Sequence, residues 1–219
     1  MAVQRPDHLQ SLALNRHLGY TGGMLILASA SPRRRELLTA AGVVFSVRPA
    51  DVDETPRPGE DPDRYVLRMA KDKAFASRMG GFKVDDWFLS ADTAVIVDRR
   101  ILGKPVDRAQ AVEMLTLLEG RAHRVVTAVC LLKAGDDTET ALFPVSTTVR
   151  FKALSRREID GYAATDEPYD KAGAYAAQGM GAFLIEAVEG SYTNVIGLPL
   201  SQTLDLLATH GVARMFDHG

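Results

Sequence analysis

Short apolar runs alternate with amphipathic stretches along almost the whole chain. Runs with strand character cover residues 24–28, 45–48, 87–91, 94–97, 124–132, 141–151 and 182–186. Between them, apolar positions at helical spacing predict helices over 33–41, 62–79, 108–118, 156–163 and 200–209. Alternation of the two kinds points to an α/β fold. Turn sequences at Asp98-Arg99-Arg100 and Gly135-Asp136-Asp137 predict hairpins, so the sheet is expected to be mixed, with helices flanking it.

No internal repeat or long linker divides residues 24–219, which read as one domain. Residues 1–23 lack the continuous apolar stretch of a signal peptide and read as a flexible N-terminal extension. No later run approaches the roughly 18 apolar residues of a membrane span. A cytoplasmic protein without a membrane partner is therefore expected. The net charge of -2 and pI near 6.2 provide no global basic field, which argues against a nucleic-acid polymer as partner.

The single cysteine, Cys130 in VVTAVCLL, excludes an intrachain disulfide and fits a reducing compartment. It reads as a buried strand residue, with a reactive thiol as the alternative. The five histidines show no metal spacing, so zinc is not expected.

Charge placement carries more information than total charge. In LASASPRRRELL, Ser31 suits a helix N-cap and Pro32 the first helical position, so Arg33, Arg34 and Arg35 load the positive end of a helix dipole. Each should cost a few tenths to about 1 kcal/mol there. A polyphosphate at the helix start would remove that cost, because backbone N–H groups, dipole and guanidinium groups would all meet one anion. Successive helical residues diverge by about 100°, so two arginines at most, Arg33 and Arg34, should reach it. The alternative is a solvated basic turn offset by Glu36. Neither a P-loop nor a G-x-G-x-x-G motif is present.

Further polar residues stand where apolar ones are expected. Asp92-Thr93 interrupts WFLSADTAVIV, and a carboxylate so flanked requires hydrogen bonds, a cation or a raised pKa, unless it caps a turn. Lys104, held between Gly103 and Pro105, suits either a phosphate contact or an exposed turn. On the helix over 62–79, Lys71 and Lys73 lie off the apolar face and read as solvated or as bordering a cleft. The acidic, proline-rich loop around DVDET holds Glu54. Near the C-terminus, glycines surround Lys171 and Gln178, whose amide both donates and accepts and so suits a base edge. Oxygen ligands such as Glu54 and Asp92 suit Mg²⁺ or Mn²⁺ shared with phosphate oxygens.

LASASPRRRELL, DVDET, MAKDKA, SADTAVIVDRRILGKP and YDKAGAYAAQGMGAFLIEAVEGSYTNVIGLPL, in this order, resemble the Maf family of nucleoside triphosphate pyrophosphatases, also described as septum-formation inhibitors. The resemblance covers most of the chain from Met24 to about Leu207. It implies an elongated α/β protein with two lobes around a cleft, related in architecture to inosine triphosphate pyrophosphatases and often dimeric. It implies cleavage of a nucleoside triphosphate between the α and β phosphates to the monophosphate and pyrophosphate, and the oxygen ligands above add a divalent metal to that expectation. By family pattern Ser29, Arg33, Arg34, Glu54, Lys73, Asp92 and Lys104 fall on functional positions, with Asp92 at the proton acceptor; from their chemistry, Glu54 and Asp92 are the expected metal ligands. Ser31, Thr93, Lys171 and Gln178 complete the expected substrate site. Arg33, Thr93 and Gln178 match the specificity positions of the branch acting on dTTP and UTP, rather than the branch acting on 7-methyl-GTP, which has Trp at the first of them. A nucleotide-binding regulator of septum formation, without essential catalysis, is the reading from a different class.

Overall fold

A computed structural model describes residues 23–213, so the extension expected over 1–23 lies, but for Gly23, outside the described residues. Seven strands form one mixed sheet: β1 (Leu25–Leu27), β2 (Ser46–Val47), β3 (Trp87–Val97), β4 (Arg100–Leu102), β5 (Ala122–Lys133), β6 (Ala141–Phe151) and β7 (Ile185–Glu189). Their order is β2-β1-β3-β5-β6-β7, with β4 paired to β3 beside β1. Only the β1 pairings are parallel. Among the described residues six α-helices accompany them: α1 (Pro32–Ala40), α2 (Pro62–Arg78), α3 (Arg108–Leu118), α4 (Arg156–Tyr162), α5 (Tyr192–Ile196) and α6 (Leu200–Thr209). None is long and apolar enough to cross a membrane.

Strand alternation divides the core. Phe88, Ala94 and Ile96 of β3, with Val126, Ala128, Cys130 and Leu132 of β5, pack on one face against Val66, Met69, Ala70 and Ala74 of α2. On the other face, Leu89, Ala91, Val129 and Leu131 meet Leu38 of α1 and Leu207 of α6. Further along that face, Val95, Val97 and Val125 meet Leu115 and Leu118 of α3 and Ile159 of α4. Between these two apolar clusters stand Thr93 and Thr127, directly paired across the sheet. A polar seam thus separates two lobes on one face, while α2 spans the other.

Strand pairing opens the sheet at the same place. β1 pairs with Trp87 to Leu89 of β3, and β4 pairs with Val95 to Val97. Residues 90–94 have no strand neighbour on that edge, although β5 continues to pair with them on the other. The β3–β4 turn places Asp98 and Arg99 at φ 49° and 63°, the geometry of a tight hairpin.

Three expectations need correction. Residues 87–97 form one continuous strand instead of two, because Asp92 keeps its ladder bonds to β5 and its side chain finds a cation. The last strand begins at Ile185, since Gly179–Leu184 forms a 3-10 turn. Ser31 occupies the N-cap of α1, but its side chain makes no capping bond; its N–H instead donates to Ser29 Oγ.

Candidate active site

A cleft of about 620 Å³ opens at the gap between β1 and β4. Ser29, Ser31, Arg33, Arg34, Glu54, Lys73, Asp92, Thr93, Lys104, Lys171 and Gln178 all line it. Segments as distant in sequence as the α1 start and the turn at Gln178 thereby line one cleft.

Asp92 projects to the α2 side of the sheet and is 7% exposed. Its Oδ1 accepts from Lys73 Nζ at 2.6 Å, and the same ammonium meets Glu54 Oε1 at 2.7 Å. Lys73 reaches both because it sits on the α2 face that crosses β3, with Glu54 on the loop entering that helix. Burial pushes the Asp92 carboxyl above its ordinary value, opposed by Lys73 and Arg34. Burial acts on Glu54 in the same direction, but the Lys73 hydrogen bond and charge, with Lys104 and Arg34, outweigh it and hold Glu54 below the usual carboxylate range. Two adjacent carboxylates are thus pushed apart, the pattern that separates roles at a catalytic site.

Thr93 projects to the opposite face and meets Arg34. The guanidinium is buried, at 9% exposure for the residue, and donates to Gly197 O (2.8 Å), Ser29 Oγ (3.0 Å) and Thr93 Oγ1 (3.1 Å). All three acceptors are neutral, so they fix the planar fork without cancelling its charge. Burial lowers the Arg34 pKa, and Asp92 opposes that effect through space. Behind Thr93 the hydrogen bonds continue inward. Thr127 donates to Asn194 O at 3.1 Å, so its hydroxyl is free to accept from Thr93 at 2.9 Å. Asn194 Nδ2 in turn donates to Val125 O and Thr147 Oγ1, both at 3.0 Å.

The remaining cations differ in their commitments. Arg33 spans the cleft to Asp170 Oδ2 at 3.0 Å, and Lys171 pairs with the same carboxylate. Arg35, one position beyond Arg34, is exposed. Lys71 turns away to Glu139 at 2.8 Å. Gln178 is exposed on the wall, and its amide has no hydrogen-bond partner among the described residues.

The structure adds Thr127, Asn194 and Glu167 to the residues around the cleft. Thr127 stood in the apolar run VVTAVCLL and carried the same polar-in-apolar signal that marked Asp92. Asn194 and Glu167 gave no comparable signal, because their partners come from segments remote in sequence.

The donor set at Asp92 and Glu54 is compatible with a hard cation. Mg²⁺ is commonly held by one or two carboxylates, with substrate phosphates and water completing its shell. Among the described residues no group of three or more His, Cys, Asp or Glu side chains forms a self-sufficient cation cage.

Comparison with known proteins places the chain among relatives of similar length. A dTTP/UTP pyrophosphatase of Myxococcus xanthus is 51% identical over 86% of this chain and 93% of its own. A protein of the same name from a Shewanella species is 48% identical over 86% of this chain and 98% of its own. Among solved structures, a HAM1 protein from Coxiella burnetii is 16% identical, covers 85% of this chain and 98% of its own, and aligns with a TM-score of 0.47. The family model described as Maf-like protein matches residues 24–210, and the chain belongs to that family.

Proposed function

We propose that this protein is a nucleoside triphosphate pyrophosphatase that hydrolyses dTTP and UTP to the monophosphate and pyrophosphate. The observation that carries this reading is the opposition, across one cleft, of the Asp92–Lys73–Glu54 cluster and a buried Arg34 guanidinium with no carboxylate partner. Relatives about half identical to the chain bear the name dTTP/UTP pyrophosphatase, which supports the substrate class.

Arg33, Arg34 and Lys104 bind the triphosphate, with Ser29, Ser31 and Lys171 around them and the start of α1 adding backbone N–H groups. Asp92 orients a water and takes its proton as the oxygen attacks the α-phosphorus. The bond from that phosphorus to the bridging oxygen breaks, and pyrophosphate leaves with charge offset by the cations. Lys73 and Arg34 oppose the burial that favours the neutral acid at Asp92. Glu54 and Asp92 would hold Mg²⁺ or Mn²⁺, which supplies electrostatic stabilisation of the phosphate oxygens. Gln178 reads the base, since its amide complements the adjacent carbonyl and N3–H of thymine or uracil, with Arg33 and Thr93 as the other specificity residues. The same selectivity is compatible with 5-methyl-UTP, whose methyl group points away from those contacts, and with pseudo-UTP, whose C5-linked uracil keeps the N3–H between two carbonyls. A cytoplasmic homodimer is part of the reading, checked by fractionation and by analytical ultracentrifugation.

Pyrophosphate release from a panel of nucleoside triphosphates, with Mg²⁺ or Mn²⁺, tests the proposal. Preferred turnover of dTTP and UTP is expected. Binding without turnover would favour the regulator, and preference for 7-methyl-GTP would overturn the substrate class.

A further inference from the structure

Gln178 stands in an exposed, glycine-rich segment that would lose much of its precision without an anchor. Tyr192 donates its hydroxyl to Ala177 O at 3.2 Å on one side, and the anchor that reaches both sides is Glu167. Its Oε1 accepts from Met180 N at 2.9 Å, and its Oε2 accepts from Gly181 N at 2.7 Å. These amides open the 3-10 turn that begins immediately after Gln178, so the carboxylate sits where free N–H groups and helix polarity favour an anion. Gly179, at φ 79°, allows the approach: a β-carbon there would collide with Glu167 Oε1.

The same carboxylate controls the chain before Gln178. Tyr162 donates its hydroxyl to Glu167 Oε2 at 2.7 Å and accepts from Ala176 N at 3.2 Å. Tyr162 is buried among the residues packed on α3 and α4, which gives the relay a rigid base. Backbone groups on both sides of Gln178 are thereby tied to one side chain, while the Gln178 amide itself stays free. Glu167 also lines the cleft.

We infer that Glu167 is a positioning residue for base recognition, fixing the Gln178 amide against the pyrimidine edge by clamping the backbone before and after it. This rests on the reading of Gln178 as the base contact. Because the clamp acts on base placement and not on the phosphates, its loss should fall on KM and on selectivity.

The test compares kcat and KM for dTTP, UTP and the poorer substrate GTP in wild type, Glu167→Gln, Tyr162→Phe, Gln178→Ala and the Glu167→Gln/Gln178→Ala double variant. In Glu167→Gln one carboxylate oxygen becomes an NH₂ facing donors. KM for dTTP and UTP should then rise about tenfold or more with kcat within a few-fold, lowering pyrimidine preference over GTP by about tenfold. Tyr162→Phe should move the same ratio less, and carries the test if Glu167→Gln does not fold. The double variant should be no less selective than Gln178→Ala alone. Equal losses on all three nucleotides, an unchanged ratio, or losses that multiply in the double variant would overturn the role of Glu167. An unchanged ratio in Gln178→Ala would instead show that the reading of Gln178 is wrong, and the inference would fall with it.

Discussion

Asp92 and Thr93 are neighbours in β3 on opposite faces of the sheet, and the two faces bury their polar groups differently. On the α2 face two carboxylates share the Lys73 ammonium at 2.6 and 2.7 Å. On the other, Arg34 is held by neutral oxygens, and the hydrogen bonds run on through Thr93 and Thr127 to Asn194. The first arrangement sets two carboxylates against one ammonium and adjusts a proton affinity. The second leaves a charge unspent in a fixed orientation. A cleft built from both holds a buried carboxylate and a buried guanidinium without letting them neutralise each other by direct contact.

Asp92→Asn removes the buried carboxylate on the α2 face. Pyrophosphate release should fall by about 10³-fold or more, as expected for loss of a general base. Stability should respond oppositely. Burial holds the folded Asp92 pKa above its unfolded value, so its ionised form costs native stability above that pKa. Removing the charge should leave the thermal midpoint unchanged or higher, with Lys73 still paired to Glu54; a clear fall in the midpoint would contradict this account. In wild type the acid limb of the rate profile should lie above the ordinary aspartate value.

The Thr93 face has its own titrating group in His123, 3% exposed and joined to the Tyr175 hydroxyl at 2.8 Å. Burial lowers its pKa from 6.5 to about 4, so the native state keeps it neutral while the unfolded chain takes up a proton. Stability present above pH 6.5 should therefore be lost as the pH falls towards about 4, by about 3 kcal/mol in full. Urea unfolding across that range should show the loss in wild type. The His123→Phe/Tyr175→Phe variant should lack this component.

Arg34→Lys tests whether the neutral cradle acts through geometry or through charge alone. A lysine keeps the charge but cannot satisfy three separated acceptors, so kcat/KM should drop by about 10²-fold in steady-state assays. The smallest effect is expected from Asp170→Asn. Its ion pair with Arg33 is 3.0 Å long but its carboxylate is 60% exposed, so stability should change by less than about 0.5 kcal/mol. Release of Arg33 should lower KM by at most about threefold, more at low salt than at high salt.

Much of this site was visible in the chain because its residues violate local rules. Asp92 breaks an apolar run, the arginines load the wrong end of a helix dipole, and Lys104 is pinned between glycine and proline. Such violations are readable without partners. Commitments between residues are not. That Arg33 spans to Asp170 while Arg34 turns inward to Gly197, and that Lys73 rather than Lys71 meets Asp92, depends on partners 19 to 163 residues away. Glu167 has a side chain unremarkable in its own segment and informative only beside Met180 and Gly181.

By itself, the sequence determined the alternation of strand and helix, the mixed sheet, the family and the cationic character of the α1 start, because periodicity and local charge act over a few residues. The tertiary structure decided that residues 87–97 run as one strand past a gap between β1 and β4, and so which side of the sheet each polar residue serves. The reason is geometric: alternate side chains of a strand point to opposite faces, but which helix waits on each face is set by packing of the whole chain.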